Sequence, residues 1–323
     1  MPPYVSSPSS PWLKVNNLKK AFIQLHIAVL LAGLTGVLGK LITLNEGLLV
    51  WYRLLLTAVA LWVPALFRPS SFRIQRKDIA RIFGIGAIAA LHWVAFYGSI
   101  KYSNVSVGLL CFSAVGFFTA LIEPLVCRHR VDWMELFLGL LVIAGIFLIF
   151  QVDPRYKTGI LIGLVSSLLG SLFPVLNKRI LDRVPAAVVT RYELTGGFFF
   201  LSILLPFYLH WFPSSKVLPD MEDWIWLMVL SLACTVLAFN LSMNALKRLS
   251  AFTVNLSYNL EPVYGILLAF VLFREDKYMR GGFYIGFSLI ILSIGLQMAR
   301  LWRKETSGRL GTDIPHKTPL GDG

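Results

Sequence analysis

The decisive stretch reads Gly170-Ser171-Leu172-Phe173-Pro174-Val175-Leu176-Asn177-Lys178, followed by Thr190-Arg191-Tyr192. A close relative of it occurs earlier, as Ala32-Gly33-Leu34-Thr35-Gly36-Val37-Leu38-Gly39-Lys40, followed by Val50-Trp51-Tyr52-Arg53. In each copy the arginine lies 13 positions after the lysine, and the two copies lie 138 residues apart. Two matched basic residues say little alone. They gain weight because the apolar segments around them repeat as well, which marks an internal repeat of hydrophobic helices.

Working outward, the whole chain has the composition of that stretch. Hydrophobic residues make up 56% of the 323 and charged residues only 15%, against roughly 25% charged in soluble domains. Long uncharged runs rich in Phe and Trp read as membrane-spanning. The net charge of +13 would suggest a nucleic-acid partner in a soluble protein. Here the basic residues sit between apolar runs, where they anchor helices on the cytoplasmic side, so no nucleic acid is expected and membrane lipids are. Cys111, Cys127 and Cys234 lie in or at the ends of apolar segments; neither a disulfide nor a metal site is expected. The basic residues before Ala21 resemble the start of a signal peptide, but the apolar run joins a series of similar runs without a small-residue cleavage site. It reads as an uncleaved first span.

Ten spans of roughly 20 residues, the length a ~30 Å hydrocarbon core requires, are placed at 21–41, 46–67, 79–100, 104–127, 133–151, 157–178, 185–209, 222–246, 250–273 and 279–299. Lys and Arg fall 20 to 8 in favour of the side that holds both termini, so the termini are expected in the cytoplasm of a cell with an inner or plasma membrane home for this protein. Five is odd, so a second five-span copy enters the bilayer upside down. The expected fold is therefore an all-α membrane protein of ten transmembrane helices in two inverted-topology five-helix repeats. The expected divisions are a cytoplasmic tail at 1–20, repeats at 21–151 and 152–299, and a second cytoplasmic tail at 300–323.

Some residues are costly to place in lipid. Arg53 and Arg191 lie roughly 10 Å inside their spans, where a charge costs of order 2.5–3.5 kcal/mol on insertion scales. Either they face a wet path, able to meet a carboxylate or phosphate, or they tie helices together. Glu261, in Asn259-Leu260-Glu261-Pro262, is the deepest acid; Glu193 follows Arg191, and Glu123-Pro124 lies nearer the cytoplasmic end of span 4. These three are the candidates for a proton-coupling or structural acid. Glu123 and Glu261 stand at different distances from the ends of their spans, so they are read as different positions in the two halves. His92, Trp93 and Tyr97 in span 3, Asn240 and Asn244 in span 8, and Asn255, Tyr258 and Asn259 in span 9 are candidate substrate contacts. The paired asparagines four apart share helix faces. Interhelical hydrogen bonding explains such residues equally well.

There is no Gly-rich phosphate loop with its Lys-Ser/Thr and no His-Glu-x-x-His pattern, so neither a cofactor, a metal nor an enzyme's chemistry is expected. The ten-span pattern, the arginine near the start of each second helix, and Phe117-Phe118-Thr119-Ala120-Leu121-Ile122-Glu123-Pro124 before a basic loop resemble the EamA family of the drug/metabolite transporter superfamily. Phe273-Arg274-Glu275 resembles the superfamily's acidic position after a Pro-bearing helix; Arg128-His129-Arg130 lacks that acid in the first half. The resemblance covers roughly residues 21–299. It implies an alternating-access carrier, commonly an exporter of amino acids or other small metabolites, with cargo contacts on spans 1–4 and 6–9. Coupling to protons or to a counter-substrate would then drive it. The rival expectations are a non-transporting membrane scaffold or sensor, an exchanger of phosphorylated or nucleotide-linked metabolites, and a lipid-directed membrane enzyme, for which the acids are too scattered.

Overall fold

A computed structural model describes residues 11–67, 74–128, 130–152, 154–258 and 260–306. Among them every regular element is helical. The chain runs α1 (Pro11–Leu41), α2 (Glu46–Phe67), α3 (Arg76–Lys101), α4 (Val105–Phe112), α5 (Val115–Cys127), α6 (Trp133–Val152), α7 (Lys157–Leu181), α8 (Ala186–Trp211), α9 (Met221–Ser231), α10 (Ala238–Leu246), α11 (Ala251–Tyr258), α12 (Glu261–Phe273) and α13 (Gly281–Thr306). Among the described residues, eight segments are long and apolar enough to cross a bilayer, with Val105–Cys127 and Met221–Leu246 each counted as one; Trp133–Ile149 and Glu261–Phe273 are apolar but shorter. The first helix begins at Pro11, so it takes in half of what the sequence reads as a tail, and α13 continues past residue 299 to Thr306.

Three expected spans are not continuous helices. Span 4 breaks at Ser113–Ala114 between α4 and α5, and span 9 breaks between α11 and α12. At the second break Pro262 occupies the start of α12, where its fixed φ suits a first turn and its missing N–H costs nothing. Span 8 passes through a π-helical segment, Leu232–Leu237, between α9 and α10. The wider turn is closed from the side chain as well: Thr235 Oγ1 donates to the Leu230 carbonyl five residues back at 2.7 Å, and such bulges recur at functional sites.

The broken helices match across the halves. Pairs α4/α5 and α11/α12 have the same lengths, 8 and 13 residues, and every boundary is displaced by 146 residues. Both end on an arginine in the left-handed region, Arg128 (φ 56°) and Arg274 (φ 54°). Glu261 therefore corresponds to Val115 and Glu123 to Ala269; the two Glu-Pro pairs occupy different positions.

Packing is intimate at the centre. Helix α3 lies against α7 and α8, α1 against α10 and α12, and α5 against α7. A Cβ on Gly39 would come within 2.3 Å of the Tyr97 ring, and one on Gly86 within 2.0 Å of the Glu193 carbonyl. Helices α6 and α13 pair with each other at the margin, crossing where a Cβ on Gly145 or Gly286 would strike the other's carbonyl oxygen at 2.7 or 2.4 Å. Small residues at such crossings let backbones meet where lipid supplies no hydrophobic drive.

The helix ends meet in two polar clusters. At one end Glu275 accepts from Lys40 Nζ at 2.7 Å, from the Ser106 hydroxyl at 2.7 Å, and from the Ser106 and Val105 amides at 2.9 and 3.2 Å. One carboxylate thus joins the end of α1, the orphan amides at the start of α4 and the turn after α12. Beside it Asp223 takes the Thr43 amide at 2.7 Å and Lys216 at 2.6 Å. At the other end Lys178 Nζ donates to the carbonyls of Leu246, at 2.5 Å, and Leu249, and Arg183 pairs with Asp78 at 2.8 Å.

Candidate functional site

The centre of the bundle holds a partly open cavity of about 80 Å³, several times the ~10–15 Å³ that one water needs. Its wall draws on both halves: Ala32 and Thr35 on α1, Arg53 on α2, His92, Trp93 and Phe96 on α3, and Phe112 on α4; then Gly170 and Phe173 on α7, Phe239 and Ser242 on α10, Tyr258 on α11 and Glu261 on α12.

Arg53 is only 2% exposed and is held from three sides. Its Nε donates to Thr235 Oγ1 at 2.7 Å and its Nη1 to the Tyr97 hydroxyl at 2.8 Å. The guanidinium lies 4.1 Å above the Trp93 ring, a contact worth about 2 kcal/mol when desolvated. The π-helical segment matters here, because it carries the Thr235 hydroxyl that Arg53 uses. Among the described residues, no hydrogen bond occupies Nη2, so one edge of a fixed donor fork is left for the cavity.

Glu261 is 4% exposed and stands at the first residue of α12, beside the helix break. Among the described residues no hydrogen bond or ion pair within 4 Å reaches its carboxyl group. The cavity wall therefore holds a cation with a free donor and an acid with free oxygens. Aromatic rings fill much of the rest: Phe173 and Phe239 stack with centroids 6.2 Å apart, and Phe96 meets Phe112 edge-on at 5.8 Å. His92 joins them, and its Nδ1 is anchored to the Ser166 carbonyl at 2.8 Å and the Ser166 hydroxyl at 3.0 Å.

The candidates named from the sequence thus divide. Arg53, His92, Trp93, Tyr258 and Glu261 line the cavity, with Tyr97 directly behind Arg53. Arg191 does not line it; its guanidinium lies 5.3 Å from the Trp62 ring. Glu193 is fully buried against Asn177, with Asn177 Nδ2 donating to Oε2 at 2.8 Å. Glu123 is buried on α5, outside the lining. Asn240 returns its amide to the Val236 carbonyl at 2.8 Å, and Asn244 is exposed. The Asn255 side chain and the whole of Asn259 lie outside the described residues. Sequence reading missed Thr35, Ser242 and the ring of Phe96, Phe112, Phe173 and Phe239. Apolar rings in an apolar helix give no signal that separates cavity from lipid.

Two copies of the model for the EamA-like transporter family match the chain, over residues 19–151 and 157–298. The chain belongs to the EamA-like transporter family. It is accordingly an integral membrane protein of the drug/metabolite transporter superfamily, whose members are transporters. No curated protein matches it. Among solved structures, one described only as "Crystal structure of protein" is similar to it, with a TM-score of 0.63 and 20% identity over 89% of this chain and 99% of the other; that likeness concerns the fold alone. In this EamA-like chain both family copies contribute to the cavity, and the boundary between copies falls at the short turn before α7.

Proposed function

We propose that this chain is an alternating-access secondary carrier for a small metabolite with an anionic group and an apolar portion, most simply an amino acid moved outward across the inner or plasma membrane. The observation that carries the reading is Arg53: a buried guanidinium, fixed by Thr235, Tyr97 and Trp93, with a donor edge open to a cavity bounded by both halves. Its planar fork suits a carboxylate. Glu261 offers a carboxyl group in the same space, for a cargo ammonium group or a coupling proton, and the aromatic rings suit the apolar portion.

The proposal includes ten spans in two inverted five-helix repeats, at 21–151 and 152–299, with both termini cytoplasmic. The matched broken helices α4/α5 and α11/α12 support it. Inverted halves provide two mirror arrangements that open the same site to opposite sides. Arg53 would also accept a phosphate, so an exchanger of phosphorylated or nucleotide-linked metabolites is the second reading; the modest cavity favours the smaller cargo. A scaffold or sensor has no use for an unpaired acid and a free donor edge in the bilayer.

The test is counterflow of labelled amino acids into proteoliposomes, after thermal-shift screening of a metabolite panel. Counterflow abolished by Arg53→Ala, with folding preserved by size-exclusion chromatography, supports the proposal. Undiminished counterflow in that variant overturns the assignment of the site.

A further inference from the structure

We infer that Glu193 carries a proton and forms with Asn177 a neutral acid–amide pair, a proton site inside the second half of the chain and separate from the central cavity. Both side chains are fully buried. Asn177 Nδ2 donates to Glu193 Oε2 at 2.8 Å. The two oxygens left over, Glu193 Oε1 and Asn177 Oδ1, are both buried without a hydrogen-bond partner. Two bare acceptors on bonded neighbours cannot satisfy each other. A single proton on Oε1, donated to Oδ1, removes both vacancies and closes a ring of two antiparallel hydrogen bonds. The ionised alternative leaves a full charge in a membrane span with one neutral donor, the arrangement that burial penalises most.

The surroundings provide no counter-ion. Arg191, two residues before Glu193 on α8, is turned to the Trp62 ring of α2. Lys178, next to Asn177 on α7, is spent on the carbonyls of Leu246 and Leu249. Helix α3 presents backbone: the Glu193 carbonyl lies where a Cβ of Gly86 would be, at 2.0 Å. From α2 comes Trp62, bonded to Thr195 at 2.9 Å. Among the described residues no titratable side chain of α2, α3, α7 or α10 is in ion-pair or hydrogen-bond contact with Glu193. Glu193 is the eighth residue of α8, as Arg53 is the eighth of α2. The position that holds an open cation in one half thus holds a closed, uncharged acid in the other. The inference does not depend on what the carrier moves.

The experiment is infrared spectroscopy of the full chain in lipid bilayers at neutral pH. A carbonyl-stretch band of a protonated carboxyl group, shifted in heavy water, is expected in E261Q, which lacks the cavity acid, and is expected to be lost when E193Q is added to E261Q. Glutamine at 193 keeps both hydrogen bonds as an amide–amide pair, so E193Q is expected to melt within a few degrees of the unsubstituted protein. If E193Q does not fold, N177A decides: removing the acceptor must move the band to higher frequency. In the E261Q background, a band retained after E193Q is added, or unmoved in N177A, overturns the inference. So does a melting temperature raised by sodium at constant ionic strength in the unsubstituted protein but not in E193Q, since the occupant is then a metal cation.

Discussion

Arg53 shows what a single residue can and cannot reveal. A charge inside an apolar run is visible in any sequence, and its cost demands compensation. Arg191 looks equivalent, because it too follows a lysine by 13 residues. Counting from the helix starts instead places Glu193 opposite Arg53. Two residues turn a side chain about 200° around a helix, enough to send Arg191 to Trp62 rather than to the cavity. The expected outcome of Arg53→Ala is a loss of cargo affinity of about 10- to 150-fold, the range of a charge-assisted hydrogen bond of ~1.5–3 kcal/mol, read by equilibrium binding. Arg53→Lys is expected to rescue little, since one ammonium cannot hold Thr235 and Tyr97 and still present a planar edge. Arg191→Ala is expected to leave affinity within about twofold, because its guanidinium does not line the cavity.

At the scale of elements, helix contacts depend on missing side chains and on carboxylates that join helix ends. Gly86→Ala places a methyl group 2.0 Å from a carbonyl oxygen of α8 and must push α3 and α8 apart, at a cost of about 1–3 kcal/mol. Gly84→Ala, with nothing within 4 Å, is expected to leave stability unchanged or raise it by up to about 1 kcal/mol, since alanine loses less backbone entropy in a helix. Thermal unfolding in detergent compares the two. The Glu275 junction adds a pH dependence. Burial alone would raise the Glu275 carboxyl group, but Lys40 and the Ser106 hydroxyl and amide outweigh it and hold it below the ordinary glutamate range. A depressed value means that the junction's contribution is whole above the ordinary value of about 4.3 and is lost as pH falls through the lower folded-state value. Melting temperature should decline on that acid limb, and Glu275→Gln should flatten the decline while lowering the plateau. The helix breaks were only partly legible. Pro262 marks one, since proline at a first turn begins a helix; Ser113–Ala114 and the π-helical turn at Leu232–Leu237, whose Thr235 hydroxyl accepts from Arg53, carry no such mark.

For the whole molecule, the proposed topology makes a direct prediction: reporter tags at positions 70 and 248 should both be cytoplasmic, and a tag at 216 should lie across the membrane. Tags at 70 and 248 on opposite faces would end the inverted-repeat proposal. The hydropathy of the chain determined that it is a helical membrane protein, because the bilayer's lack of water forces every backbone group into internal hydrogen bonds and every span to a common length. The internal echo likewise disclosed two related halves. Tertiary structure alone decided which of the scattered polar residues converge: Arg53, His92, Trp93, Tyr258 and Glu261 meet at one cavity, while Glu193 closes on Asn177 and Arg191 on Trp62. The reason is rotational. Hydropathy reports whether a segment lies in the membrane, but the direction a side chain faces depends on helix breaks, a π turn and glycine crossings that set each helix about its own axis.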